Sequence, residues 1–307
     1  LLEEAVAAGA ELVRPARVRA AELGSFDHRV TIDQGSETFS VGCRWVIDAT
    51  GRANLLGRKL GLISKNEQHP TAAFWGRFRN LGHIDDLAAR GPVEWARRNV
   101  ASRRLGTNHY VGRGYWVWVI PHGHGETSVG VVWDRRLLAL HERPDREQAF
   151  RDFLAELVPF NELLPGAELR SADFRYCSNL PYATTQYMGE GWALVGDAAV
   201  FLDPYYSPGL DHCAFSVEAT AEIVAMQLAG ESIAARTKEH NETFVRSYWR
   251  FFEAIYRDKY YYMGEADLLS AAFLLDTAQY YIFVVIPAYR VYGRFFWMPV
   301  LGPKEAF

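Results

Sequence analysis

The pattern of apolar and polar positions divides the chain into four kinds of stretch. Leu1 to Ala8 reads as the tail of a helix that Gly9 caps. Three alternating runs follow, at Glu11 to Ala20, Phe26 to Ile32 and Phe39 to Ile47, with Gly35 in a turn between the last two. The third ends in Asp48-Ala49-Thr50-Gly51-Arg52. Thr71 to Phe78 is again strand-like. After a polar, arginine-rich stretch, Tyr110 to Ile120 and Thr127 to Trp133 form two strands joined across Pro121-His122-Gly123-His124-Gly125-Glu126. Asp145 to Leu157 has helical spacing, with Phe150, Phe153, Leu154 and Leu157 on one face, Asp145 as its cap and Gln148 as the reciprocal partner. Leu169 to Pro181 returns as a strand. Beyond it lies a short apolar run, Trp192 to Val195, of the kind that fits a buried parallel strand.

That run is broken at its carboxyl end by Gly196-Asp197. A loop through Asp203-Pro204 and Gly209 then leads into helical spacing from Leu210 to Leu228. Strand, acidic turn, loop and helix start together place a ligand at the mouth of an open α/β sheet. A carboxylate such as Asp197 can accept a sugar-like hydroxyl there, and the N–H groups and positive dipole of the helix start can face an anionic atom. Beyond Gly230 the chain turns helical and aromatic. Phe244, Trp249, Phe252, Tyr256 and Tyr260 share a stripe that reads as core packing, and a further helix covers roughly Asp267 to Val285.

Composition narrows the picture. Nearly half of the 307 residues are hydrophobic, so a sizeable core is available, and the net charge of -4 comes with no basic stripe, which argues against nucleic acid. Cys43, Cys177 and Cys213 are few, odd in number and widely spaced; they fit a reducing, cytoplasmic setting and give neither a disulfide framework nor a zinc site. No third ligand accompanies His122 and His124, so a solvated turn is the better reading there and no metal site is expected. No apolar run reaches the ~18 residues that span a bilayer.

The Gly196-Asp197 pair closing a strand, followed by Pro204, Gly209 and a helix, resembles the second flavin-contacting motif of the FAD-dependent monooxygenase superfamily. The resemblance implies that Asp197 bonds the ribityl chain of FAD and that the helix from Leu210 points at the flavin pyrimidine. In such proteins the strand holding Val18 runs beside the adenine, and the Ala49-Thr50-Gly51 turn lies close to the ADP half, where small residues let the backbone approach the ligand. Tyr115-Trp116-Val117-Trp118-Val119-Ile120-Pro121 fits Trp-x-Trp-x-Ile-Pro, a signature of flavin-dependent halogenases within that superfamily. On a strand, Trp116, Trp118 and Ile120 project to one face. In the halogenases such a wall lies by the flavin and keeps the substrate from it, so a small oxidant must travel. An aromatic-rich core strand also fits these residues.

The resemblance implies an α/β, three-layer FAD/NAD(P)-binding flavoprotein fold with an inserted mixed β-sheet substrate domain and a helical C-terminus. It divides the chain into a partial FAD domain (1–60), a sheet domain (61–185), the return of the FAD domain (186–230) and a helical region (231–307). The glycine-rich βαβ unit that opens such a domain does not occur in these residues, nor does the family's catalytic lysine, so the expectation is a fragment or one piece of a split chain. The implied activity is a halogenase of secondary metabolism that takes reduced FAD from a separate flavin reductase, O2 and a halide ion. Its substrate is an electron-rich aromatic or pyrrolic group, free or carrier-bound. Pro208 departs from the family pattern, because proline has no N–H to donate to a halide. A flavin hydroxylase, a geranylgeranyl-reductase-like flavoprotein and a degenerate flavin-fold binding protein are the alternatives.

Overall fold

The computed structural model describes residues 1–98 and 101–286. The helix expected over Asp267 to Val285 is found at Ala266–Tyr280 and continued by a wide π turn at Tyr281–Val285, and the part of the expected helical region beyond Ile286 lies outside the described residues. The fold is mixed α/β, as the resemblance implies, and the chain divides into two compact units. The first comprises Leu1–Ser64 and Ala183–Tyr248, the second Lys65–Tyr182 and Trp249–Ile286.

In the first unit an antiparallel meander of Arg17–Glu22, His28–Gln34 and Glu37–Cys43 forms one sheet. A second sheet has Val46–Asp48 running parallel to Trp192–Leu194, with Met188–Gly189 antiparallel beyond it. The run from Phe39 to Ile47, expected as one strand, is therefore two. It breaks at Arg44-Trp45 because its first half pairs with the meander and its second half with the apolar Trp192 strand. The run from Glu11 also begins later than expected, at Arg17. The helix Pro208–Leu228 packs beside this sheet through Ile223, against Met188 and Ala193. It starts two residues before Leu210, since proline's fixed φ and missing N–H suit the first helical position.

The second unit is built on a sheet in the order Glu168–Leu169, Thr71–Arg79, Glu126–Asp134, Tyr115–Pro121, Asn108–Gly112, with Arg175–Cys177 also on Thr71–Arg79. The expected Tyr110 to Ile120 strand is a hairpin, turned at Arg113-Gly114, where Gly114 takes a left-handed φ of 87°. One face of the sheet carries Phe74, Phe78, Val117, Val119, Val131 and Trp133 onto the helix Arg146–Glu156, whose Phe150, Phe153 and Leu154 complete the core. Asp145 accepts from the Gln148 N–H at 2.9 Å, as its position predicts. The Gln148 side chain instead reaches forward to Asp152, so the box is half made. The expected aromatic stripe is interrupted by a wide π turn at Phe252–Tyr256, and Phe252, Tyr256 and Tyr260 are all buried. Among the described residues no helix is long and apolar enough to cross a membrane.

Candidate functional site

Two turns in the first unit, at the carboxyl ends of the parallel strands, frame a cavity of about 580 Å3. Ala49, Gly51, Gly196, Asp197, Pro204, Gly209 and Leu210 all line it. Thr50 does not, and Val18 lies out on the meander at 40% exposure. The sequence thus brings seven of its nine candidate cofactor contacts to one place. A strand's alternation says which face Val18 takes, not which sheet it joins.

The first turn is folded by its own carboxylate. Asp48 is buried; one oxygen accepts from the Thr50 N–H at 2.9 Å and from its hydroxyl at 2.6 Å, and the other from the Leu56 N–H at 2.7 Å. Such a closure two residues on is the usual work of an Asp at a turn. It spends the Thr50 side chain on the protein and leaves Ala49 and Gly51 on the cavity. The second turn is tied to the first by Asn54, which sits at a left-handed φ of 46° and donates its amide to the carbonyls of Asp197 and Ala198, each at 3.1 Å. Gly196 takes a φ of 54°, and a Cβ there would lie 3.1 Å from Cys213 Sγ, so both backbone and space call for glycine. Its N–H donates to Ser216 Oγ at 2.9 Å, fastening the turn to the Pro208–Leu228 helix.

Asp197 is half-buried, and burial pushes its carboxyl above the usual carboxylate range, while the Arg52 guanidinium pulls it partly back. Arg52 itself lies over the Phe201 ring, 5.2 Å from its centre. A Cβ on Gly209 would come within 3.9 Å of Asp197 Oδ1, so the missing side chain leaves the carboxylate open along the cavity wall. Before the helix, Tyr206 and Ser207 are both left-handed, with φ of 71° and 56°, strain that clusters at ligand-binding turns. The helix runs 21 residues from Pro208, its Ser207 cap makes no side-chain hydrogen bond, and Gly209 and Leu210 supply N–H groups at its positive end. Below, His212 is buried and stacked on Tyr187, whose hydroxyl is 3.2 Å from Nε2; burial lowers this histidine to about 4, so it is neutral. Asp48, Arg52, Asn54 and Ser216 escaped the sequence reading. Only Asp48 carried a signal, its position two residues before Thr50.

In the second unit, Trp116 and Trp118 do share a face, as alternation predicts, with ring centres 5.5 Å apart. Trp116 is 2% exposed and donates its indole N–H to Tyr260 Oη at 2.9 Å; the His109 ring stands edge-on to it at 5.2 Å. Trp118 donates to Ser128 Oγ at 3.1 Å and lies across Gly130 on the neighbouring strand, where a Cβ would come within 2.1 Å of the indole. Among the described residues no group of three His, Cys, Asp or Glu side chains could hold a metal ion.

The family model for tryptophan halogenase matches residues 99–265, more than half of the chain. The flavin-dependent halogenase chlA of Dictyostelium discoideum is 24% identical over 88% of this chain and 44% of its own length. The 1H-pyrrole-2-carbonyl-[peptidyl-carrier protein] chlorinase of Pseudomonas fluorescens is 24% identical over 90% and 58%. The chain spans about half the length of the curated relatives it matches. The crystal structure of halogenase PltM in complex with phloroglucinol and FAD superposes with a TM-score of 0.74, at 20% identity over 84% of this chain and 51% of that one, a likeness of fold. The chain belongs to the tryptophan halogenase family.

Proposed function

We propose that this protein works as an FAD-dependent halogenase on an electron-rich aromatic or pyrrolic substrate, free or bound to a carrier, with reduced FAD delivered by a separate reductase. The first unit is its FAD-binding domain and the sheet unit its substrate domain. The observation that carries the reading is the cavity between the Asp48 and Gly196 turns. Its volume of about 580 Å3 falls within the range of small-molecule sites. Its donor set suits a dinucleotide flavin, with a half-buried carboxylate at Asp197, small residues at Ala49, Gly51 and Gly209, and a helix N-terminus past Pro208.

In this reading Asp197 would accept a ribityl hydroxyl of bound FAD, and the N–H groups of Gly209 and Leu210, at the positive end of the helix, would favour the negative charge of the reduced flavin. Ala49 and Gly51 let the backbone approach the ADP half. Bound reduced FAD supplies the electrons that activate O2. Asn54 and Ser216 hold the Gly196 turn in place, and Trp116 and Trp118 limit direct oxidation of the substrate, so that halide is oxidised and then replaces a ring hydrogen, which leaves as a proton.

The test is incubation with FAD, a flavin reductase, NADH and phenolic or pyrrolic substrates, with chloride or bromide present or withheld. The expected result is a product in which one hydrogen is exchanged for halogen. Pro208 supports a second reading, hydroxylation, because its ring occupies the first helical position, where another residue would offer an N–H. An oxygenated product formed equally with and without halide would select it.

A further inference from the structure

The tip of the hairpin that carries Trp116 is held by a segment more than a hundred residues further along the chain. Tyr260 belongs to the short helix Lys259–Tyr262 and is 1% exposed. Its hydroxyl accepts the Trp116 indole N–H at 2.9 Å, and its main-chain carbonyl accepts the N–H of Gly114 at 2.8 Å, two residues before Trp116. Gly264 approaches the same turn so closely that a Cβ there would sit 2.8 Å from the Arg113 nitrogen. Three contacts within five residues thus fix the register of this segment on the turn.

The phenol has no room to swing. His69, fully buried, stands 5.5 Å from its ring and is flanked in turn by Phe252 and Tyr256, at 5.7 and 6.0 Å. A buried indole N–H is strongly drawn to its acceptor, since losing it forfeits a hydrogen bond that water cannot replace. The Tyr260 hydroxyl therefore sets the rotation of the Trp116 ring. That ring in turn packs against Trp118, whose indole N–H donates to Ser128 and whose ring lies over the bare Cα of Gly130.

We infer that Tyr260 is a positioning residue for the double-tryptophan wall, and that through Trp116 it decides how much oxidation goes through halide rather than directly to the substrate. This rests on the function proposed above. The test is Tyr260→Phe in the full protein, labelled with 15N at tryptophan. The Trp116 indole resonance is assigned by its loss in Trp116→Phe. The expected results are an upfield move of that resonance with the other indole signals in place, a roughly fivefold rise in the ratio of oxygenated to halogenated product, the size that one lost hydrogen bond implies, and an unchanged KM for substrate. In a Trp116→Phe background, Tyr260→Phe should leave the ratio unmoved. Gly264→Ala, which pushes the segment off Arg113 without touching the phenol, should shift the ratio in the same direction and serves where Tyr260→Phe fails to fold.

An unmoved resonance, an unmoved ratio, or an equal effect in the Trp116→Phe background overturns the inference. A moved resonance with no halide-dependent product from the wild-type protein leaves the hydrogen bond standing, but overturns both the proposed function and the role given to Tyr260.

Discussion

The cavity of the first unit and the tryptophan strand of the second are held in different ways. The cavity is framed by turns, and what fixes them is polar, in part from within the turn and in part from residues far along the chain. Asp48 closes one turn, Asn54 clamps it to the other, Ser216 holds the Gly196 N–H, and several residues accept left-handed backbone. The tryptophan strand is fixed by packing, with Val117 and Val119 in an aromatic core on one face and two indoles in mutual contact on the other. A packed strand loses most stability when volume is removed, and a hydrogen-bonded turn when a polar partner is removed.

The largest effect should come from the core. Trp133 is fully buried against Phe74, ring centres 4.6 Å apart, and Trp133→Ala should cost about 3–5 kcal/mol in chemical denaturation. A loss below 1 kcal/mol would erase the contrast between the regions.

Acid should strike the first unit. His212 and His240 are buried there, and burial lowers both to about 4 from the usual 6.5. The unfolded chain takes up these protons first as pH falls below 6.5. Stability is therefore full above that value and declines towards pH 4, by up to about 1.4 kcal/mol per pH unit for each histidine. His240 packs between the rings of Tyr187 and Phe244. His240→Phe should flatten the slope of stability against pH in that window, and an unchanged slope would place the acid sensitivity elsewhere.

Asn54→Ala removes two buried hydrogen bonds and should cost about 1–3 kcal/mol, with an FAD affinity loss of tenfold or more. Gly130→Ala makes the complementary test. Its Cβ would strike the Trp118 indole, so the product ratio should change while FAD affinity holds. If both variants moved affinity alike, the division of labour between the regions would be wrong.

How much of this was legible depended on the kind of force at work. Alternation put Trp116 and Trp118 on one face, where their rings meet, and the residues of the Gly196-Asp197 motif lie on a cavity wall. The Arg44-Trp45 break between sheets was not legible, because both halves alternate and only their distant partners differ. Asn54 was equally hidden. Its role arises from a left-handed backbone and a pair of carbonyls some 140 residues away, neither of which leaves a trace in local spacing. Tyr260 looked like one more member of an aromatic stripe, and only the folded chain shows its hydroxyl under the Trp116 indole.

The central claim is that the Asp48 and Gly196 turns hold FAD, and the most direct measurement is a calorimetric titration of FAD into the wild type, Asp197→Asn and Trp116→Phe. Burial holds the Asp197 carboxyl above its ordinary value, so its ionisation opposes folding as pH rises through the carboxylate range. The Asp197→Asn apoprotein should therefore be no less stable at neutral pH, which separates binding from folding. The account predicts FAD binding about tenfold weaker in Asp197→Asn, the loss of one charge-assisted hydrogen bond, and unchanged in Trp116→Phe. Wild-type affinity in Asp197→Asn would contradict it.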